Sequence, residues 1–329
     1  MKQAELGRSG INASVVAFGA WAIGGWKWGG TDAKQSVAAL QAGMDAGINL
    51  IDGAAVYGFG LSEELVGEAI KHKPRDEVVI ISKCGLRWDI ESTTLHAESE
   101  GKRIFRTHAA ESIVWEVEQS LQRLGTDYID AYLTHWPDPL VPVEDLAATM
   151  ESLVAAGKIR TWGMCNSSPE DIAVALKSDS FSIDQEKYSM LDRQQDIQNL
   201  PACVQNRLAF LAYSPMAKGL LTGRINKQRE YSSGDQRIEN PRFTSEALDA
   251  LQVLLQPVQK IAAARQMQTH HLVLAWTLQQ AGVSHVLVGA RTAVQARSNA
   301  AAGSLELRDY ELLAINDALS VWPGFSFEA

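Results

Sequence analysis

Residues 50–60 read LIDGAAVYGFG. An apolar run closes on a carboxylate, Asp52, and a phenol, Tyr57, follows among small residues and glycines. A short apolar run bounded by turn residues reads as a buried strand. One acid after one strand is ordinarily a turn or cap residue, so its meaning depends on how the other apolar runs end. The further strand candidates are SVVAFG (14–19), VVIISK (78–83), YIDAYLTH (128–135), IRTWGMCN (159–166), FSIDQ (181–185), LAFLAYS (208–214) and SHVLVGA (284–290), beside INLID (48–52) itself. Their ends supply Asp52, Lys83, His135, Asn166, Gln185 and Ser214. A polar residue closes almost every run.

Helix-period stretches separate the runs: AKQSVAALQAGMDAG (33–47), LSEELVGEAIKHK (61–73), HAAESIVWEVEQSLQRLG (108–125), VEDLAATMESLVAAGK (143–158) and SPEDIAVALKS (168–178). In the last, Ser168 is a candidate N-cap with Pro169 at the first helical position. Strands alternating with helices predict a parallel sheet with crossover helices. Repeated across the chain, that pattern predicts a closed (β/α)8 TIM barrel, one domain over residues 1–329. A doubly wound open sheet is the alternative. It would usually carry GxGxxG after its first strand, and FGAWAIGG (18–25) does not match. QAELGRSGINAS (3–14) reads as a short hairpin around Gly7–Gly10, outside the repeat. Two long polar segments, 86–107 after the third strand and 223–243 after the seventh, read as functional loops.

The chain has 329 residues, 46% of them hydrophobic, and a net charge of −9. A large core is available, and the acidic balance argues against a nucleic-acid or anionic-membrane partner. No apolar run approaches ~18 residues, and MKQAELGRSG has no apolar signal region, so neither a membrane span nor a secretory leader is expected. The three cysteines, Cys84, Cys165 and Cys203, fit a reduced compartment. No CxxC or HExxH occurs, so no metal is expected. These features predict a cytoplasmic protein.

In a (β/α)8 barrel the working residues gather at the C-terminal ends of the strands. Here the stretches resemble one family. GINLIDGAAVYGFGLSEELVGEAI (47–70), VVIISKCG (78–85) and LGTDYIDAYLTHWPD (124–138) resemble the aldo-keto reductase segments around the Asp and Tyr, the Lys and the His. GKIRTWGMCNSS (157–168), QEKYSMLDR (185–193), AYSPMAKGLLTG (212–223) and VLVGARTAVQARSN (286–299) resemble that family's cofactor segments, in order. The resemblance covers nearly the whole chain.

It implies an NADPH-dependent carbonyl reductase with a catalytic tetrad of Asp52, Tyr57, Lys83 and His135. The chemistry suits the residues. Hydride addition to a carbonyl leaves an oxyanion that needs a proton, and a phenol near pKa ~10 donates better beside an ammonium. Asp52 would hold Lys83 charged, and His135 would donate a hydrogen bond to the substrate oxygen. For the cofactor, the resemblance implies Asn166 and Gln185 at the nicotinamide carboxamide and Tyr213 stacked on its ring. Trp21, Ser214, Met216, Lys218, Leu220 and Gly289 complete the implied cofactor contacts. Arg291 is the implied 2′-phosphate contact, since a guanidinium suits a phosphate dianion, with Gln295 and Asn299 towards the adenine.

Three positions depart from the family's common pattern: Ala20 and Gly53 replace hydroxyl residues, and Cys165 stands where serine is frequent. Trp26, Trp28, Trp88 and Trp136 form the expected substrate wall. Sugar-derived carbonyls, simple aldehydes and larger ketones all fit it. The tail VWPGFSFEA (321–329) is read as either leaning over the barrel mouth or docking elsewhere. The alternative function is a cofactor-sensing binding subunit of the same fold with marginal catalysis.

Overall fold

The strands Val16–Gly19, Leu50–Asp52, Val79–Cys84, Ile129–Thr134, Ile159–Cys165, Phe181–Lys187, Ala209–Tyr213 and Val283–Gly289 pair in parallel and close into a barrel. They follow one another around it in chain order, and the eighth returns to the first through Val286 beside Val16. This computed structural model describes residues 1–71 and 73–320. The tail at 321–329 lies outside the described residues. The architecture is the (β/α)8 barrel that the alternation predicts.

Each strand is buried on two faces, which is why it reads as a continuous apolar run. Ala17, Leu50, Ile81, Leu133, Ile183 and Leu211 fill the barrel interior. Their chain neighbours Phe18, Ile51, Ile80, Tyr132 and Phe210 face the outer helices. The interior residues are small or branched, so layers from successive strands interlock without leaving a pore.

The first run needs a correction. Ser14 does not begin the barrel; it ends the hairpin strand Asn12–Ser14, paired antiparallel with Gln3–Glu5. Its hydroxyl explains the break. Ser14 Oγ donates to the Val16 carbonyl at 2.9 Å and accepts from the amides of Asn49 and Leu50 at 3.1 and 3.2 Å. That stitches the chain to the second strand before the barrel strand starts. The hairpin sends Leu6, Ile11 and Ala13 into the interior cluster and so plugs one end. Its turn can only be glycine at position 7. Gly7 has φ +65°, and a Cβ there would sit 2.1 Å from the Ser182 carbonyl oxygen.

The segment after the third strand is built rather than loose. Leu86–Arg87, Thr94–Ser99 and Lys102–Arg106 form a three-stranded antiparallel sheet with Lys102–Arg106 in the middle. The segment after the seventh strand crosses to the loop after the first: Trp28 bridges Asp235, and the Gln236 amide donates to the Lys27 carbonyl at 3.0 Å. Two helices, Ser245–Ala264 and Thr269–Leu278, then lead to the eighth strand. Ser168 caps Pro169–Ala175 through a reciprocal capping box with Asp171. Among the described residues no helix is long and apolar enough to cross a membrane.

Candidate active site

The side-chain period of a strand places the polar residues. Val79 and Ile81 point into the barrel, so Lys83 does too; Ala131 and Leu133 direct His135 in the same way. Leu50 sets Asp52, Ile183 sets Gln185, and Ala209 with Leu211 set Tyr213. Each of these five strands thus raises one polar group above a floor of apolar ones. Asn166 is different. It follows the interior residue Cys165 and sits at φ +56°, where the chain turns out of the fifth strand.

Three of these groups form a chain. Lys83 Nζ donates to Asp52 Oδ1 at 2.8 Å and to the Gly53 carbonyl at 2.8 Å, and lies 3.4 Å from Tyr57 Oη. All three residues are buried. The Tyr57 ring meets the His135 ring edge-on at 5.4 Å. Burial raises the Tyr57 pKa above the usual phenol range; the Lys83 ammonium pulls it down without prevailing. The expectation of a lowered phenol pKa is therefore corrected: the balance here keeps the proton on. Burial works against the charge on Lys83, but Asp52 and then Tyr57 more than offset it, and its pKa is raised. His135 is held well below the usual histidine range by burial and then by Lys83, so the imidazole is neutral at pH 7. A neutral imidazole carries one N–H to donate.

The amides expected at the nicotinamide are engaged with the protein. Asn166 Nδ2 donates to the His135 carbonyl at 2.9 Å, and its Oδ1 accepts from Tyr213 Oη at 2.7 Å. Gln185 Nε2 donates to Asp52 at 2.9 Å. Ser214, Ala217, Lys218 and Gly219 all take positive φ just past the seventh strand. Leu220 is buried and Met216 packs against the main core, which leaves their backbone as the part a ligand can meet. Among the described residues Lys218 has no carboxylate within ion-pair distance, and burial, then Lys187, Lys27 and Arg242, outweigh Asp192 and lower its pKa to about 8. Lys187 and Arg242 share Asp192, so the group of four cations keeps an excess of positive charge that fits a diphosphate. Gly289 closes the eighth strand against Gly19 of the first.

Arg291 donates to the carbonyls of Trp28 at 3.1 Å and Gly30 at 2.6 Å. Those bonds use two of a guanidinium's five N–H groups and fix its direction. Gln295 turns back to accept from the Arg291 amide at 2.8 Å, and Asn299 is buried and donates to the Gly289 carbonyl at 3.2 Å. Thr292 caps the helix Ala293–Ala301, accepting from the Gln295 amide.

The aromatic residues do converge. Trp26, Tyr57, Val56 and Leu86 share a cluster with Trp21, Phe59, Trp88 and Trp136. Trp21 lies nearly parallel to Tyr57 at 6.0 Å and is also beside Trp26 and Trp28. It stands on this aromatic wall, and its indole N–H is buried without a partner among the described residues. Trp28 is the outer member, with Arg237 5.0 Å above its ring. Of the three departures, Gly53 supplies only its carbonyl, Ala20 is fully buried, and Cys165 is a buried thiol whose pKa burial raises well above the usual range.

One pair of groups escapes a reading of strand ends. Asp184 and Glu186 flank Gln185 on the sixth strand and point away from the interior. Both are buried. Asp184 accepts from Ser167 Oγ at 3.0 Å, while Glu186 accepts from the Ser167 amide at 2.8 Å and from Gln195. They grip the residue after Asn166. The only sequence signal is the alternation D-Q-E in an otherwise apolar strand. Burial, then the Asp184 carboxylate, hold Glu186 protonated far above the usual carboxylate range. The folded state therefore keeps a proton that the unfolded chain releases, and stability falls as pH rises through neutrality, by up to ~1.4 kcal/mol per pH unit. Glu186→Gln is expected to flatten that slope. Urea denaturation at about pH 5.5 and about pH 8 measures it, and equal slopes in both proteins would refute the proton on Glu186.

The aldo/keto reductase family model matches residues 15–320. The chain is 38% identical over 293 residues to the aldo-keto reductase YhdN of Bacillus subtilis, covering 88% of this chain and 85% of that one. It is 37% identical over 314 residues to the NADH-specific methylglyoxal reductase of Escherichia coli, covering 94% and 95%. The solved structure of a glycerol dehydrogenase from Gluconobacter oxydans superposes with a TM-score of 0.87 at 33% identity, over 98% of this chain and 96% of that one. With the closed barrel and its rim, these matches identify the chain as a member of the aldo/keto reductase family, oxidoreductases that act on carbonyl groups with a nicotinamide cofactor.

Proposed function

We propose that this protein is an NADPH-dependent reductase of aldehydes or ketones in which Tyr57 donates the proton. The observation that supports it is the buried chain Asp52–Lys83–Tyr57 with neutral His135 against the phenol. The nicotinamide, when bound, supplies the hydride. Asn166, Gln185 and Tyr213 would hold its ring end, Ser214 through Leu220 its diphosphate, and Arg291 its 2′-phosphate. His135 donates its N–H to the carbonyl oxygen and fixes it beside Tyr57. Tyr57 Oη passes its proton to that oxygen as negative charge develops. Lys83, kept charged by Asp52, steadies the phenolate that remains. The aromatic wall keeps water from the reacting atoms.

The E. coli relative is named as NADH-specific, so the phosphate contact is the part of this reading to test. Arg291→Ala is expected to weaken NADPH about 10–100-fold, the range of a charge-assisted bond to phosphate. NADH is expected to weaken far less, through loosening of the loop that Arg291 ties at Trp28 and Gly30. Equal losses for both cofactors, read by quenching of tryptophan fluorescence, would remove the 2′-phosphate role. The reading as a whole is tested by oxidation of reduced cofactor with a reactive aromatic aldehyde and with an α-dicarbonyl. Cofactor binding without Tyr57-dependent turnover would instead favour a sensing subunit.

A further inference from the structure

The sheet after the third strand carries a cation to the edge of the site. Arg106 ends the strand Lys102–Arg106, opposite Leu86 and Thr94. Its guanidinium carbon lies 5.4 Å from the ring of Trp136, the chain neighbour of His135. Its Nη1 faces the Pro137 carbonyl at 3.4 Å, and its Nε donates to His96 Nδ1 at 3.2 Å. His96 in turn packs against Trp136 at 5.2 Å.

None of these partners is negative. Burial, then Arg106 and Lys27, lower the His96 pKa to about 4, so this imidazole is neutral and acts as an acceptor that aims the arginine. Most other arginines at least partly buried in this chain hold a carboxylate, as Arg75 does Asp130, Arg123 Glu63 and Arg242 Asp192; Arg291, proposed above for the 2′-phosphate, holds the Trp28 and Gly30 carbonyls instead. Arg106 has none within ion-pair distance among the described residues. Of the acids in this segment, Glu91 and Glu98 lie with Arg103 and Asp89 with Arg87. Lys27, 4.9 Å over Trp26, and Lys102, 5.2 Å over Phe59, also lack a carboxylate within ion-pair distance among the described residues. In a chain of net charge −9, the aromatic wall is thus edged by uncompensated positive charge. A partly buried cation without a counter-ion is unfavourable unless a ligand supplies one. The diphosphate of a nicotinamide cofactor accounts for Lys218; it does not account for an arginine on the Trp136 side.

We propose that the substrate carries, beside its carbonyl, an anionic group, a carboxylate or a phosphate, that Arg106 receives. The proposal rests on the reductase reading above. Two of the guanidinium's five N–H groups are engaged, so a fork remains to meet two oxygens of one anion. His96 is a positioning residue for that fork, and Lys27 and Lys102 add attraction at longer range.

The test compares matched substrates in wild type, Arg106→Met and Arg106→Lys. Succinic semialdehyde and its neutral methyl ester form the carboxylate arm; glyceraldehyde phosphate and glyceraldehyde form the phosphate arm. Wild type is expected to favour the anionic member of one arm by about 10–100-fold in kcat/KM, chiefly through KM. The arm that shows it identifies the anion. Arg106→Met is expected to abolish that preference while changing the neutral member less than about 3-fold, and Arg106→Lys to keep part of it. Absence of preference in both arms of wild type overturns the proposal. So does an equal fall for charged and neutral members in Arg106→Met, which would make the arginine a support for Trp136. Failure of the reductase reading is distinct: no member of either arm would then turn over in a Tyr57-dependent way.

Discussion

Replacing Tyr57 by phenylalanine is expected to lower carbonyl reduction about 10²–10⁴-fold while leaving NADPH binding within about 2-fold. The hydroxyl is the one atom removed. The ring keeps its place against Trp21 and His135, because those contacts are made by its faces and edge. What disappears is the proton that the product oxygen must receive. Burial raises the phenol pKa despite Lys83, so the donor stays loaded throughout the neutral range. Reduction should therefore show no loss of its acid group until pH passes the ordinary phenol range. The measurement is steady-state oxidation of NADPH with a reactive aldehyde, with cofactor affinity from fluorescence. Normal turnover by the phenylalanine variant would show that another group donates.

Lys83→Met is expected to have the second largest effect, and to act on stability and activity together. Lys83 is almost wholly buried, and its ammonium holds Asp52, the Gly53 carbonyl and the Tyr57 hydroxyl at once. Methionine fills the stem's volume but leaves Asp52 a buried carboxylate with, among the described residues, the Gln185 amide as its one remaining side-chain donor. Loss of one partner of such a pair costs about 3–5 kcal/mol. Asp52→Asn with Lys83→Met should recover part of that stability, since the uncompensated charge is then gone, without recovering activity. Denaturant midpoints of the two variants separate these effects. Equal stability of the single and double variants would mean that Asp52 finds another counter-ion, and a fully active Lys83→Met would exclude any role for the ammonium at Tyr57.

Much of this site is legible in the chain. The parity of residues 79, 81 and 83, of 131, 133 and 135, and of 209, 211 and 213 fixes which side chains enter the barrel, because successive residues of a strand face opposite ways. Where the last inward residue of such a run is polar, it rises above the apolar layers and meets its counterparts from other strands. Asp52, Lys83 and Gln185 meet for that reason. The same rule misreads the first run, where a side-chain hydroxyl at Ser14 redirects the backbone. It also passes over Asp184 and Glu186, because an outward acid looks like a solvent-facing residue until the helix Asn199–Asn206 and the Ser167 turn are known to cover it.

The sequence by itself determines the barrel, the order of its strands and the identity of the rim residues, since these follow from short-range period and from chain connectivity. Balance between burial and charge is decided only in three dimensions. The raised phenol of Tyr57, the neutral His135 and the engaged amides of Asn166 and Gln185 depend on neighbours contributed by distant strands. The same holds for Arg106. Its residue type is plain in the sequence, but that no carboxylate among the described residues lies within ion-pair distance of it is a property of how the sheet after the third strand folds back on Trp136. Desolvation and Coulomb energies depend on distance through space, and the separation of two residues along the chain does not set that distance.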